Sequence, residues 1–196
     1  MIIYFILITS IVSLIILLIY YFHFFLKLSL SKSDGSDFKK PISVIICAKN
    51  EYENLKKNLP LFLNQKYLEF EVIVVDDQST DKTSFLLSEL EELYSNLVVV
   101  KIEKNVKQKI GKKFPLTIGI KTAKHDYLLL TDADCQPQSN YWIKNMVGNY
   151  DKNDIVLGYG AYKVENGLLN KFIRFDTFNV AQQYLSYSLA GLTYMG

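Results

Sequence analysis

The chain of 196 residues is 49% hydrophobic and 21% charged, which excludes a disordered polypeptide, and its net charge of +2 is too small to imply a nucleic-acid partner. Its two cysteines, Cys47 and Cys135, are too few for a disulfide framework, and their spacing fits no zinc motif. They suit a reducing compartment, where cysteine packs as a small hydrophobe.

The composition is uneven along the chain. Ile2 to Leu26 contains no Asp, Glu, Lys or Arg. As a helix this run would be about 37 Å long, against a hydrocarbon core of about 30 Å, so it predicts one transmembrane helix with length to spare for tilt. Tyr20 and Tyr21 stand near its far end, where amphipathic rings favour the interface, and His23 reads as an interfacial side chain rather than a proton relay. The run has no basic segment before it, is long for a signal peptide, and is followed by no small-x-small cleavage site. A retained anchor over residues 1–27 is therefore expected. Lys27, Lys32, Lys39 and Lys40 follow it, and an excess of lysine marks the cytoplasmic side. The expectation is a single-pass protein of the cell membrane whose soluble domain is cytoplasmic. Residues 28–40 are polar in their main part and read as a linker to one domain over 41–196. A domain of about 150 residues buries roughly 70% of its unfolded surface, so one core suffices.

Within that domain, Pro41 to Ala48 is short, apolar and rich in β-branched residues, the pattern of a buried strand. A helical stretch from Asn50 to about Gln65 places Leu55, Leu59 and Phe62 on one face. Phe70 to Val75 predicts a second buried strand, followed by a turn from Asp76 to Asp81 in which Ser79 or Thr80 could cap a helix running to about Tyr94. Leu97 to Ile102 predicts a third strand, then come a lysine-rich loop and a helix near Phe114 to Ala123. His125 to Thr131 predicts a fourth strand ending at Asp132, with a helix over about Asn140 to Tyr150 and a fifth strand over Asp154 to Tyr159. Leu168 to Leu189 has an amphipathic helical pattern with an aromatic stripe that includes Phe172, Phe175 and Phe178. Such alternation argues for an α/β fold, a mostly parallel sheet with flanking helices, in which ligands bind beyond the carboxyl ends of the strands.

The residues at those ends are chemically distinctive. Lys49-Asn50-Glu51 follows the first strand, Asp76 and Asp77 follow the second, and Asp132-Ala133-Asp134 follows the fourth. Carboxylates gathered on one rim repel unless a cation sits among them. Asp132 and Asp134 are two apart, so an extended backbone points both to one side, and their hard oxygens suit Mg²⁺ or Mn²⁺ completed by water and substrate phosphates. Asp76, Asp77 and Asp81 have a second reading as turn and helix-cap residues, and a carboxylate there could instead accept hydrogen bonds from a base or ribose. Eight lysines lie between Lys101 and Lys124, among them Lys104, Lys107, Lys109, Lys112 and Lys113. Most read as a solvated basic loop, whereas Lys112 and Lys113 precede a helix on the ligand side and could stabilise phosphate oxygens. No Gly-x-Gly-x-x-Gly follows the first strand and no phosphate-binding Gly-rich loop occurs, which argues against a dinucleotide-binding site and a nucleotidyltransferase.

Four segments, Pro41 to Glu51, Val72 to Asp81, Gly111 to Lys113 and Leu128 to Cys135, occur in the order seen in the family-two glycosyltransferases, and residues 41–196 resemble the N-terminal portion of that family. The resemblance implies a GT-A, Rossmann-like nucleotide-diphospho-sugar fold, incomplete at its C-terminus. It implies that Ala48, Asn50 and Glu51 pass the nucleotide, that Asp77 contacts the base with Asp76 beside it, that Asp132 and Asp134 hold the divalent metal, and that Lys112 and Lys113 lie near the phosphates. It implies inverting sugar transfer from a nucleotide-diphospho-sugar to a lipid or polysaccharide acceptor by a hexosyltransferase-like enzyme. The family's acidic motif for the catalytic base falls after the matching segments, so a chain ending at Gly196 is expected to bind donor and to turn over poorly. The competing expectation is a non-catalytic nucleotide-sugar-binding remnant or a membrane-bound binding module. His125 stands where the family often has glycine, which affects a turn.

Overall fold

The computed structural model describes residues 1–31, 38–103, 111–148, 150 and 155–192. The chain packs as two units, residues 35–156 on one hand and residues 1–34 with 157–196 on the other.

The first of these units is a parallel α/β layer. Its elements are β1 (Ile42–Ala48), α2 (Tyr52–Leu63), β2 (Phe70–Asp76), α3 (Thr83–Leu93), β3 (Leu97–Lys101), α4 (Lys113–Thr122), β4 (Tyr127–Asp132) and α5 (Trp142–Val147), and α1 (Ile2–Leu30) belongs to the other unit. The four strands are parallel in the order β3-β2-β1-β4. Strands covered on both faces need no polar alternation, and β1 and β2 are accordingly almost wholly buried. Successive side chains nevertheless face opposite layers. Val44, Ile46, Val72 and Val74 join Leu55, Leu59, Phe62 and Leu87 in the larger core, whereas Ile73 and Val75 pack with Phe114 and Ile118 of α4. The chain winds from β1 through β2 to β3, then crosses by α4 to β4 on the other side of β1. Right-handed crossovers in opposite directions put their helices on opposite faces, and the reversal falls between β1 and β4, the position beyond whose carboxyl ends ligands bind in open sheets of this kind.

α4 approaches the sheet closely at Gly119. A Cβ there would stand 2.6 Å from Ile45 Cγ2 and 3.2 Å from Val75 Cγ2. In an unconstrained helix Gly→Ala gains about 1 kcal/mol, whereas overpacking a buried layer costs about 1–3 kcal/mol. Gly119→Ala is therefore expected to lower stability by about 1 kcal/mol on balance. Urea unfolding followed through Trp142 checks this, and a raised midpoint would show that α4 lifts from the sheet without penalty.

At the amino ends of the strands, Glu71 is buried inside β2 and is matched by polar groups. It accepts from Ser43 Oγ at 2.7 Å and from the Lys124 backbone N–H at 2.8 Å, with Lys124 Nζ 3.7 Å away. Both hydrogen bonds fall on Oε1 and tie the turn before β4 to the centre of the sheet, whereas the buried Oε2 has no hydrogen-bond partner and only the Lys124 ammonium near it.

The second unit contains α1 (Ile2–Leu30) and α6 (Leu168–Leu189). Among the described residues, α1 is one helix long and apolar enough to cross a membrane, and none of it is buried. It extends past the expected boundary at residue 27, taking up Leu28 to Leu30 from the expected linker. The two helices meet near the end of α1, where the Tyr20 and Tyr187 hydroxyls are hydrogen-bonded, the Phe24 ring packs tilted against Tyr187 with centroids 4.9 Å apart, and Lys27 donates to the Leu189 carbonyl. In α6 only Ala181 and Ser186 are buried, and Phe172, Phe175 and Phe178 are exposed.

Two local expectations are corrected. Ile155 to Tyr159 forms no strand, and Asp154 lies outside the described residues. Apolar residues make a strand only where a ladder partner exists, and Ile155 and Tyr159 remain exposed without one. Neither Ser79 nor Thr80 caps α3, which starts one turn later, after Lys82. The Asp81 carboxylate instead accepts from the Thr83 backbone N–H at 3.0 Å.

Candidate functional site

The strand register decides which side chains share the rim. Ala48, the last residue of β1, is level with Asp76, and Cys47 is level with both Val75 and Asp132. The residues following β1, β2 and β4 are thus neighbours although far apart in sequence.

The turn after β2 is built from side-chain hydrogen bonds. Asp76 is buried, its Oδ1 accepting from the Ser79 backbone N–H at 3.0 Å and its Oδ2 from the Ser84 hydroxyl of α3. Gln78 takes a left-handed backbone with φ of 58°. Asn50 does the same with φ of 57°, a region asparagine tolerates better than most residues. Its backbone N–H donates to Ser79 Oγ at 2.9 Å, and its Oδ1 accepts from the Thr80 N–H at 2.8 Å. Asp81 accepts from the N–H groups of Thr83 and Tyr52, joining the starts of α2 and α3. Partial burial pushes its carboxyl up, but these hydrogen bonds outweigh that and hold it below the usual aspartate range.

Asp77 differs from its neighbour. Its backbone N–H donates to the Ala48 carbonyl at 2.8 Å, which fixes the chain beside β1. Its side chain is 16% exposed, with Oδ2 3.7 Å from Lys49 Nζ, and its Oδ1 is buried with no hydrogen-bond partner. A buried acceptor left unpaired is uncommon, because it forfeits its solvation for nothing.

On the other side of β1, Lys112 Nζ lies 3.1 Å from Asp132 Oδ1. Lys112 sits between Gly111, whose φ of 141° suits glycine, and the first turn of α4. Its hydrogen bond to Asp132 raises it above the ordinary lysine range, and the charges of Asp132 and Asp134 add to this. Cys47 lies between the two halves of the rim. Burial pushes its thiol up, Asp132 and Asp77 push the same way, and Lys112 opposes them. Asp77, Asp132 and Lys112 therefore all lie within electrostatic reach of the Cys47 thiol at the end of β1.

Ala48, Asn50, Asp76, Asp77, Lys112 and Asp132 thus converge at one rim, with Asp134 within electrostatic reach of Lys112. Glu51 precedes α2 and its carboxylate accepts from Asn54. Lys113 opens α4 with an exposed side chain. Lys104, Lys107 and Lys109 lie outside the described residues. Sequence reasoning did not single out Ser84, Lys49 as the partner of Asp77, or Cys47 as the point between the aspartates. For Ser84 the available signal was a hydroxyl in the first turn of the helix that follows a buried aspartate. A shallow cleft of about 280 Å³ opens between Asn50, Glu51, Tyr52, Asp81 and Lys82, below the roughly 300–1,000 Å³ of ordinary ligand pockets.

Among the described residues no cluster of three or more His, Cys, Asp or Glu could hold a metal by itself. Asp132 is paired with the Lys112 ammonium and Asp134 lies within electrostatic reach of the same group, and two hard carboxylates so placed would suit a cation that keeps water and phosphate oxygens in its shell.

The sequence and fold were compared with known proteins. An uncharacterised glycosyltransferase of Haemophilus influenzae is 35% identical over 121 residues, covering 62% of this chain and 36% of its own length. The crystal structure of S. aureus TarS in complex with UDP-GlcNAc is similar with a TM-score of 0.50 and 27% identity, over 57% of this chain and 31% of that one. The mannosyltransferase PcManGT from Pyrobaculum calidifontis, in complex with GDP-Man and Mn²⁺, shares the fold with a TM-score of 0.57 at 24% identity, over 67% of this chain and 39% of that one. The chain spans less than half the length of the curated relatives it matches. The family model of glycosyl transferase family 2 matches residues 43–192, and with the parallel sheet and its rim of aspartates in place, the chain belongs to that family.

Proposed function

We propose that the chain binds a nucleotide-diphospho-sugar together with a divalent cation, as the donor-binding part of an inverting glycosyltransferase held at the membrane by α1. The observation that carries this reading is the unpartnered, buried Oδ1 of Asp77, set across the end of β1 from the Lys112–Asp132 pair. In this assignment Asp77 accepts hydrogen bonds from the base, Ala48, Asn50 and Glu51 border the nucleotide, and Asp76 holds the turn. Asp132 and Asp134 hold Mg²⁺ or Mn²⁺, and Lys112 and Lys113 face the diphosphate. A bound divalent cation would neutralise charge on the departing diphosphate as a Lewis acid. The lysines add fixed positive charge where that charge develops. The acceptor, a lipid or polysaccharide hydroxyl, must lose its proton to a base, and no described residue is assigned that role.

Calorimetry on the full chain in detergent tests this reading. UDP-GlcNAc or GDP-mannose should bind with Mn²⁺ and at least tenfold more weakly after chelation. Failure of both to bind, or binding indifferent to the metal, would overturn it.

An anchor formed by α1, which carries the expected limit at residue 27 on to Leu30, a linker from there to residue 40, the family domain over 41–196, and the cytoplasmic placement of that domain are part of the same proposal. They are supported by the uninterrupted apolar run of α1 and the lysines after it. Cys135 is exposed and reports the side directly. A membrane-impermeant maleimide should leave Cys135 unlabelled in intact spheroplasts and label it after permeabilisation. Labelling before permeabilisation would place the domain outside.

A further inference from the structure

We propose that Lys112 is a tethered counter-ion of the aspartate pair: it neutralises Asp132 in the metal-free state, is displaced by the incoming divalent cation, and turns to the diphosphate that arrives with it. The inference rests on the donor-site reading above and adds an exchange step that the reading does not require.

The geometry points to exchange rather than to a permanent pair. Lys112 Nζ lies 3.1 Å from Asp132 Oδ1, occupying one of the oxygens a metal would use. A divalent cation taking that oxygen would repel an ammonium group beside it, so the two would compete for Asp132. The pair is exposed, at 78% for Lys112 and 57% for Asp132, so water screens it and it opens at little cost. Lys112 extends from the turn that follows Gly111 at the start of α4, so the backbone keeps it at the rim when its side chain swings away. Asp77, across β1, is already paired with Lys49 and is not left bare when Lys112 moves.

Exchange makes a prediction of opposite signs that a plain phosphate-binding lysine does not. Removing the ammonium should strengthen binding of the bare metal and weaken binding of the metal with diphosphate. The probes are Mn²⁺ alone, read by loss of the free Mn²⁺ resonance signal, and manganese pyrophosphate, read by calorimetry. Lys112→Met should bind Mn²⁺ alone about two- to fivefold tighter than wild type, the range expected for removing a competing exposed ion pair. The same variant should bind manganese pyrophosphate about three- to tenfold more weakly, as loss of an exposed charge on phosphate implies. Lys112→Gln should behave alike, and Lys121→Met, which removes an equal charge at the far end of α4, should change neither.

Lys112→Met binding Mn²⁺ no tighter than Lys121→Met would overturn the exchange. If wild type then still binds Mn²⁺ and Asp134→Ala abolishes it, the metal site stands and Lys112 is a simple phosphate ligand. If no variant binds Mn²⁺ or manganese pyrophosphate, the exchange and the donor-site reading fall together.

Discussion

Asp76→Ala is expected to destabilise the α/β unit by about 3 kcal/mol, a large share of the roughly 5–15 kcal/mol that holds a domain folded. The side chain is buried, and both its oxygens are engaged, one by the Ser79 backbone N–H and the other by the Ser84 hydroxyl. Hydrogen bonds to a charged group are worth about 1.5–3 kcal/mol, and truncation also leaves two donors without a partner in a place water reaches poorly. The same substitution frees the turn that carries Asp77, so nucleotide affinity should fall with stability. Asp76→Asn keeps an oxygen for Ser79 and presents an amide to the Ser84 hydroxyl, which can accept, so its loss should be about half as large. Urea unfolding followed by the fluorescence of Trp142, which packs edge-on against Phe62 in the same core, measures both. An unchanged midpoint for Asp76→Ala would show that the turn is held by the Asn50 contacts alone.

The division of labour between Asp76 and Asp77 marks where sequence reading stops. The strands were legible because parallel strands covered on both faces are apolar runs, and Ile42 to Ala48 and Phe70 to Asp76 are almost wholly buried. From alternation with helices follows a parallel sheet, and from a parallel sheet follows a shared rim, so the grouping of residues 48–51, 76–77 and 132–134 was legible too. Which of two adjacent aspartates is spent on the fold was not. That depends on the Ser84 hydroxyl reaching back from α3, a contact with no periodicity to announce it. The partner of Lys112 was hidden for the same reason, since it lies at the end of β4 and belongs to tertiary geometry. The expected strand at Asp154 to Tyr159 failed differently. Its apolar residues were read correctly, but hydrophobicity does not report whether a ladder partner is available, and Ile155 is left 70% exposed.

Asp77→Ala is expected to separate function from stability, in contrast to the change one residue earlier. The Asp77 Oδ1 is buried and makes no hydrogen bond, and its Oδ2 is 3.7 Å from a Lys49 ammonium that is itself 59% exposed. An orphaned buried acceptor costs about 1–3 kcal/mol, and losing a solvent-screened partner costs Lys49 under about 1 kcal/mol. The folded state should thus be no less stable without the carboxylate. Binding should change the other way. A ligand N–H that satisfies this oxygen recovers a charge-assisted hydrogen bond of about 1.5–3 kcal/mol, so its loss should weaken nucleotide binding with Mn²⁺ by about 10- to 100-fold. A buried polar group that only a ligand can satisfy is common where selection acts on binding rather than on stability. Calorimetry with UDP and GDP, paired with urea unfolding of the same preparations, tests both signs together. Undiminished affinity would remove Asp77 from the base site. A stability loss equal to that of Asp76→Ala would make Asp77 a second structural member of the turn, and the orphaned oxygen would then have no functional reading.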